Sequence, residues 1–147
     1  MIAPHAFKKI LEETDDRLPL LTLDEFFNGN TAEDSIAPNQ WGFGRPTIAE
    51  IWDALGKIES MPKVAWVRVA PHYDTEIVEN NGKEELVLVG DTIVVCTAIS
   101  PDELEKLVNC EWLGSDGVIT IDASQLELYS CVPPIPDNFD CLEIVWD

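Results

Sequence analysis

The chain has 147 residues and a formal net charge of −19, from 28 acidic and 9 basic side chains. That balance excludes the basic patches by which proteins hold nucleic acid or anionic membrane, and it attracts basic proteins. Hydrophobic residues make up 46% of the chain and include five Trp, so the composition is that of a folded protein rather than a disordered one.

The length suits one domain over residues 1–147, which hides roughly 70% of the surface its unfolded chain exposes. No run approaches the roughly 18 apolar residues of a membrane span. Met1 to Thr14 lacks the charged, apolar and small-residue regions of a secretion signal, so the expected compartment is the cytoplasm.

In chain order, the spacing of Phe7, Ile10 and Leu11 predicts a helix over 4–14. Leu18-Pro19-Leu20 interrupts it. Thr22-Leu23-Asp24-Glu25 is a capping box, and the short helix it opens stops at Asn28-Gly29-Asn30. Residues 28–46 read as a polar loop, long for a compact domain, that contains Trp41-Gly42-Phe43-Gly44. Thr47-Ile48-Ala49-Glu50 is a second capping box. Behind it Ile48, Ile51, Trp52, Leu55 and Ile58 form a helical stripe that Pro62 ends.

Val64 to Ala70 is apolar on both faces, which predicts a strand that is central or well covered. Asp74 to Glu79 and Glu84 to Val89, joined by Asn80-Asn81-Gly82, predict a hairpin whose acidic outer strand suits a sheet edge. Thr92 to Ile99 is the most β-branched run in the chain. Ser100-Pro101-Asp102-Glu103 predicts a third capping box and a helix to about Asn109. Val118 to Asp122 reads as a short strand, Gln125 to Cys131 as another, Pro133 to Pro136 as a linker, and Leu142 to Trp146 as the last strand. The order predicts an α+β fold, with helices packed on one face of a mainly antiparallel sheet.

The charge is lopsided. Residues 1–73 carry 7 basic and 11 acidic side chains, whereas residues 74–147 carry 2 and 17. Solubility of a small domain needs a net charge of only about 2–8 in magnitude, and the excess leaves two readings open: a docking face for a partner with Trp41 as an anchor, or a solvated face with Trp41 plugging the core.

Residue types for catalysis are sparse. His5 and His72 are the only histidines, and no G-x-S-x-G elbow is present, since Gly114-Ser115-Asp116-Gly117 has the wrong spacing. No H-E-x-x-H or EF-hand loop exists, and the alternating acids of the hairpin read as a solvated face rather than a metal site. Gly42-Phe43-Gly44-Arg45-Pro46-Thr47 precedes a helix but lacks the spacing of a phosphate loop. Cys96, Cys110, Cys131 and Cys141 contain no C-x-x-C pair, and the absence of a secretion signal predicts free thiols. No cofactor or metal is implied.

Leu21 to Asn30 with Ser35-Ile36-Ala37-Pro38-Asn39, Asp91 to Ala98 leading into Ser100-Pro101-Asp102-Glu103, and the terminal Leu142 to Asp147 together resemble a pattern in small acidic bacterial proteins of unassigned function. Proteins of this style are similar to the immunity proteins encoded beside bacterial polymorphic toxins. The resemblance covers about a quarter of the chain and implies no active-site residue. The resulting expectation is a non-enzymatic inhibitor that occludes a basic protein, such as a toxin domain. Its contact residues are Asp74, Glu76, Glu79, Glu84 and Glu85, with Trp41 as the aromatic anchor. Two alternatives stay open. One is a small-ligand protein or enzyme using the 28–46 loop as a lid beside a pocket near Asp34, Asn39 or His72. The other is a self-associating scaffold domain.

Overall fold

A computed structural model describes residues 1–147. Its elements are α1 (Pro4–Glu13), α2 (Leu23–Phe27), α3 (Ile48–Glu59), β1 (Val64–Pro71), β2 (Glu76–Asn80), β3 (Lys83–Val87), β4 (Gly90–Thr97), α4 (Pro101–Val108), α5 (Cys110–Leu113), β5 (Gly117–Ile121) and β6 (Asp140–Val145). Strands β1-β4-β6-β5 form an antiparallel sheet, and the helices pack against it, giving an α+β fold.

Alternation along the strands sorts side chains to two faces. Val67, Val69, Ile93, Val95, Leu142 and Ile144 point to the helical side, where they join Phe26, Phe27, Ile51, Leu55 and Leu104 in the main core. Burying each of these large side chains contributes about 1.5–3 kcal/mol. Trp66, Ala70, Val94, Cys96, Ile121 and Cys141 form a smaller core on the other face, with Leu20 and Leu126.

The helices start where their caps dictate. The Thr22 and Thr47 hydroxyls accept from the N–H of Glu25 and Glu50 at 3.0 and 3.2 Å, and each Glu carboxylate accepts in return from the Thr N–H. The box predicted at Ser100 forms only in half: Ser100 Oγ accepts from Glu103 N–H at 3.2 Å, and the return bond is missing.

Four other expectations need correction. Gln125 to Cys131 is not a strand. Asp122 and Gln125 cap each other, and Ala123–Leu128 winds as a 3₁₀ helix. The Pro133–Pro136 stretch is no mere linker either, because Pro134 C=O accepts from Trp66 Nε1 at 3.0 Å and Val132, Ile135 and Phe139 roof the second core. Residues 28–46 are not a simple polar loop. They hold 3₁₀ turns at Glu33–Ser35 and Pro38–Gln40, and they bury Ile36, Ala37 and Arg45. The hairpin does not extend the main sheet but forms a separate two-stranded one.

β1 lies at the edge of the ladder, and its apolar pattern reflects cover rather than a central place. Leu21 and Val69 exchange both backbone hydrogen bonds at 2.8 and 2.9 Å. Val67 N–H donates to Glu59 Oε2 at 3.0 Å. The outward N–H groups of Val67 and Val69 thus have partners from the chain itself, as a buried edge requires.

Candidate functional site

The second face of the sheet is only half roofed. Towards the β1 end the strap 123–139 leaves a cleft of about 280 Å³ walled by Leu11, Leu18, His72, Tyr73, Asp91 and Tyr129. Chain geometry explains the gap. Cys131, at φ +59, and the Leu20–Ser130 and Ser130–Leu18 hydrogen bonds turn the strap away at Tyr129, so Tyr73 and Leu128 stand exposed at the mouth.

Two carboxylates, Asp16 and Asp91, line the cleft, together with Arg17 and His72. Asp91 Oδ1 accepts from the Thr92 hydroxyl at 3.1 Å. Glu143, half-buried on the neighbouring strand, is pushed above the usual carboxylate range by burial and then by the Asp91 charge. The Tyr129 hydroxyl is pushed up by burial, with Glu143, Tyr73 and Asp91 adding to it. His72 Nδ1 lies 3.1 Å from Asp74 N–H, which donates to it. Arg17 also lines the cleft, but Nε donates to Thr14 C=O at 3.1 Å and Nη1 turns to the carbonyls of Glu127 and Tyr129.

The predicted contact residues are divided in space. Asp74, Glu76, Glu79, Glu84 and Glu85 are all exposed on or beside the hairpin. Pairing sets Glu79 opposite Glu84 on the face that carries buried Leu86, while Glu76 and Glu85 occupy the reverse face. Glu84 meets Lys8 at 3.5 Å. Asp74 directly follows Tyr73, so the hairpin acids continue from the wall of the cleft.

Trp41 belongs to a different neighbourhood. Its ring lies 4.5 Å from the Arg45 guanidinium, and it is 40% exposed. Arg45 Nη1 in turn donates to the carbonyls of Glu33 and Ile36, and Nη2 meets Glu33 Oε1 at 3.4 Å. The other Glu33 contacts answer the question of an anion site before α3: its carboxylate oxygens accept from Ile48 N–H at 2.9 and 3.2 Å. The chain's own carboxylate thus fills the helix N-terminus.

A family model described as the uncharacterized protein YfbO family matches residues 2–144. The chain belongs to the YfbO family. No curated protein and no solved structure matches it.

In this YfbO-family chain the 28–46 segment does not act as a lid over the cleft, whose walls come from α1, the β1 end, β4 and the 3₁₀ corner. A separate depression does touch Asp34, between Met1, Asn30 and the Leu86–Val89 segment. Ser115, which sits between two nearby glycines, has a structural role. Its Oγ accepts from Gly117 N–H at 3.1 Å and donates to Val145 C=O at 3.0 Å. Sequence reasoning missed Asp91, Tyr129 and Glu143. One local signal existed for Glu143, a single acid inside the apolar run Leu142 to Trp146. No helix is long and apolar enough to cross a membrane.

Proposed function

We propose that the protein is a non-enzymatic binding protein that captures a basic protein by surface complementarity, in the manner of an immunity-like inhibitor acting on a toxin domain. The observation that carries this reading is the unneutralised acidity of the second half. Of the 17 acids after Tyr73, only Glu84 and Asp74 lie within ion-pair distance of a cationic or ionisable nitrogen. Lys83 and Lys106, the only basic residues there, form no ion pair.

A surface of this kind steers a basic partner and repels the wrong ones. The hairpin supplies the charged rim, and Tyr73 and Leu128, 86% and 68% exposed, supply apolar anchors at the cleft mouth. The site of action in this reading is the cytoplasm, where the four free cysteines persist as thiols.

The test is affinity capture from the source cell at about 50 mM and about 500 mM salt, where screening shortens the electrostatic reach several-fold. Recovery of one stoichiometric basic protein at low salt, with faster dissociation or slower association at high salt, supports the reading. Recovery of no basic protein, or capture indifferent to salt, overturns it.

A further inference from the structure

We propose that the cleft beside Tyr73 binds the guanidinium group of an arginine presented by the basic partner. This rests on the basic-partner reading and assigns its anchor.

Size comes first. At about 280 Å³ the cleft falls just below the roughly 300–1,000 Å³ of pockets that enclose cofactors and drug-sized ligands, and suits one long side chain. Chemistry comes second. Tyr73, Tyr129 and His72 offer ring surface on the walls, and Asp91 offers a carboxylate. Guanidinium stacks on aromatic rings and pairs with carboxylate, and a planar cation uses both at once.

Charge comes third. Neither Asp91 nor Glu143 lies within ion-pair distance of any Lys or Arg of the chain, although Glu143 is half-buried. Arg17 lines the cleft, but its Nε and Nη1 donate to the carbonyls of Thr14, Glu127 and Tyr129, and it makes no ion pair with Asp91. From residue 107 to the end the chain has no Lys or Arg at all, so no internal cation from that half reaches the site. Asp91, with Glu143 close enough to feel its charge and with aromatic walls around it, has no Lys or Arg within ion-pair distance to complete it.

The test is a titration of the full-length protein with N-acetylarginine amide, followed by amide chemical shifts. N-acetylcitrulline amide, the neutral isostere, and N-acetyllysine amide serve as comparison probes. The expected result is saturable shifts confined to His72, Tyr73, Asp91, Tyr129 and Glu143. The arginine probe binds more tightly than the lysine probe, and the citrulline probe binds at least ten-fold more weakly. Asp91→Asn and Glu143→Gln each weaken the arginine probe at least three-fold, while Glu85→Gln on the hairpin leaves it unchanged.

Equal shifts with the citrulline probe, diffuse non-saturating shifts over all acidic segments, or full binding in Asp91→Asn overturn the assignment. If those results appear while salt-sensitive capture of a basic protein persists, the cleft assignment fails and the partner reading stands. If capture also fails, both fall.

Discussion

Arg45 shows how much one side chain organises in this molecule. Its side chain is fully buried, and it ties Glu33, Ile36 and Trp41 into the start of α3. Burial pulls its pKa below the ordinary arginine range, with Glu33 and then Asp34 pushing it back up. Removing such a cation takes the ion-pair partner from Glu33, leaves the Ile36 carbonyl without its donor and empties the space. Arg45→Ala is therefore expected to lower unfolding free energy by about 3 kcal/mol, measured by urea denaturation. The thiols differ as sharply. Cys96 and Cys141 face each other across β4 and β6, both buried, and burial pushes Cys96 up to about 12. A thiol-reactive dye is expected to label exposed Cys131 in the native protein, and Cys96 and Cys141 only on unfolding.

Glu143 makes a prediction with a sign. Its pKa is raised in the fold, so the folded protein holds that proton more tightly than the unfolded chain does. The contribution to stability is full at low pH, where the group is protonated in both states. It is lost as pH rises through the ordinary glutamate range towards the raised value. Glu143→Gln is thus expected to raise Tm at pH 7 and to lose that advantage near pH 4. An equal shift at both pH values would show that the charge of Glu143 is not the cause.

At the scale of elements, the two sheet edges differ. β1 is sealed by Leu21 and Glu59. On β5, Val118 N–H donates to Glu105 Oε1 at 3.3 Å, and alternation turns the N–H of Thr120 outward as well, where no group of the chain meets it. Proline in place of each tests the contrast. Val69→Pro breaks a satisfied bond and is expected to lose about 3 kcal/mol or more, whereas Thr120→Pro is expected to lose about 1 kcal/mol or less by thermal unfolding.

This scale also shows what local sequence encodes. The Thr22 and Thr47 boxes, the Ile48–Ile58 stripe and the β-branched run after Asp91 each carry their structure within a few residues. The α+β class follows from their order. The segment 125–131 misleads because its Leu and Tyr suit a strand, while the decisive signal is the Asp122–Gln125 pair that caps a turn. The cleft had no local signature. His72, Asp91 and Tyr129 come from separate parts of the chain, and only the sheet register and the bend at Ser130 bring them together and set Glu143 within reach of the Asp91 charge. The hairpin acids were legible because charge density survives without tertiary structure. Their split over two faces was not, since a one-residue change of register would reverse it.

For the molecule as a whole, the acids without internal partners concentrate in the second half of the chain. The 1–73 half contributes most internal ion pairs, among them Lys9–Glu13, Arg45–Glu33, Lys57–Asp53 and Arg68–Glu59. The later half offers its charge to solvent, with the hairpin and the cleft joined at Tyr73 and Asp74. The central claim is that this half receives the partner, and position must therefore matter more than total charge. Two five-fold variants of equal net charge test it. One neutralises Asp74, Glu76, Glu79, Glu84 and Glu85 to their amides, and the other does the same to Glu12, Glu13, Asp15, Asp24 and Asp53. The measurement is the association rate with the captured basic protein at low salt. The account predicts that the first variant associates at least ten-fold more slowly than the second, and that the second stays within about two-fold of the unmodified protein. Equal slowing in both would contradict it, because the acidity would then act as bulk charge and not as a docking face.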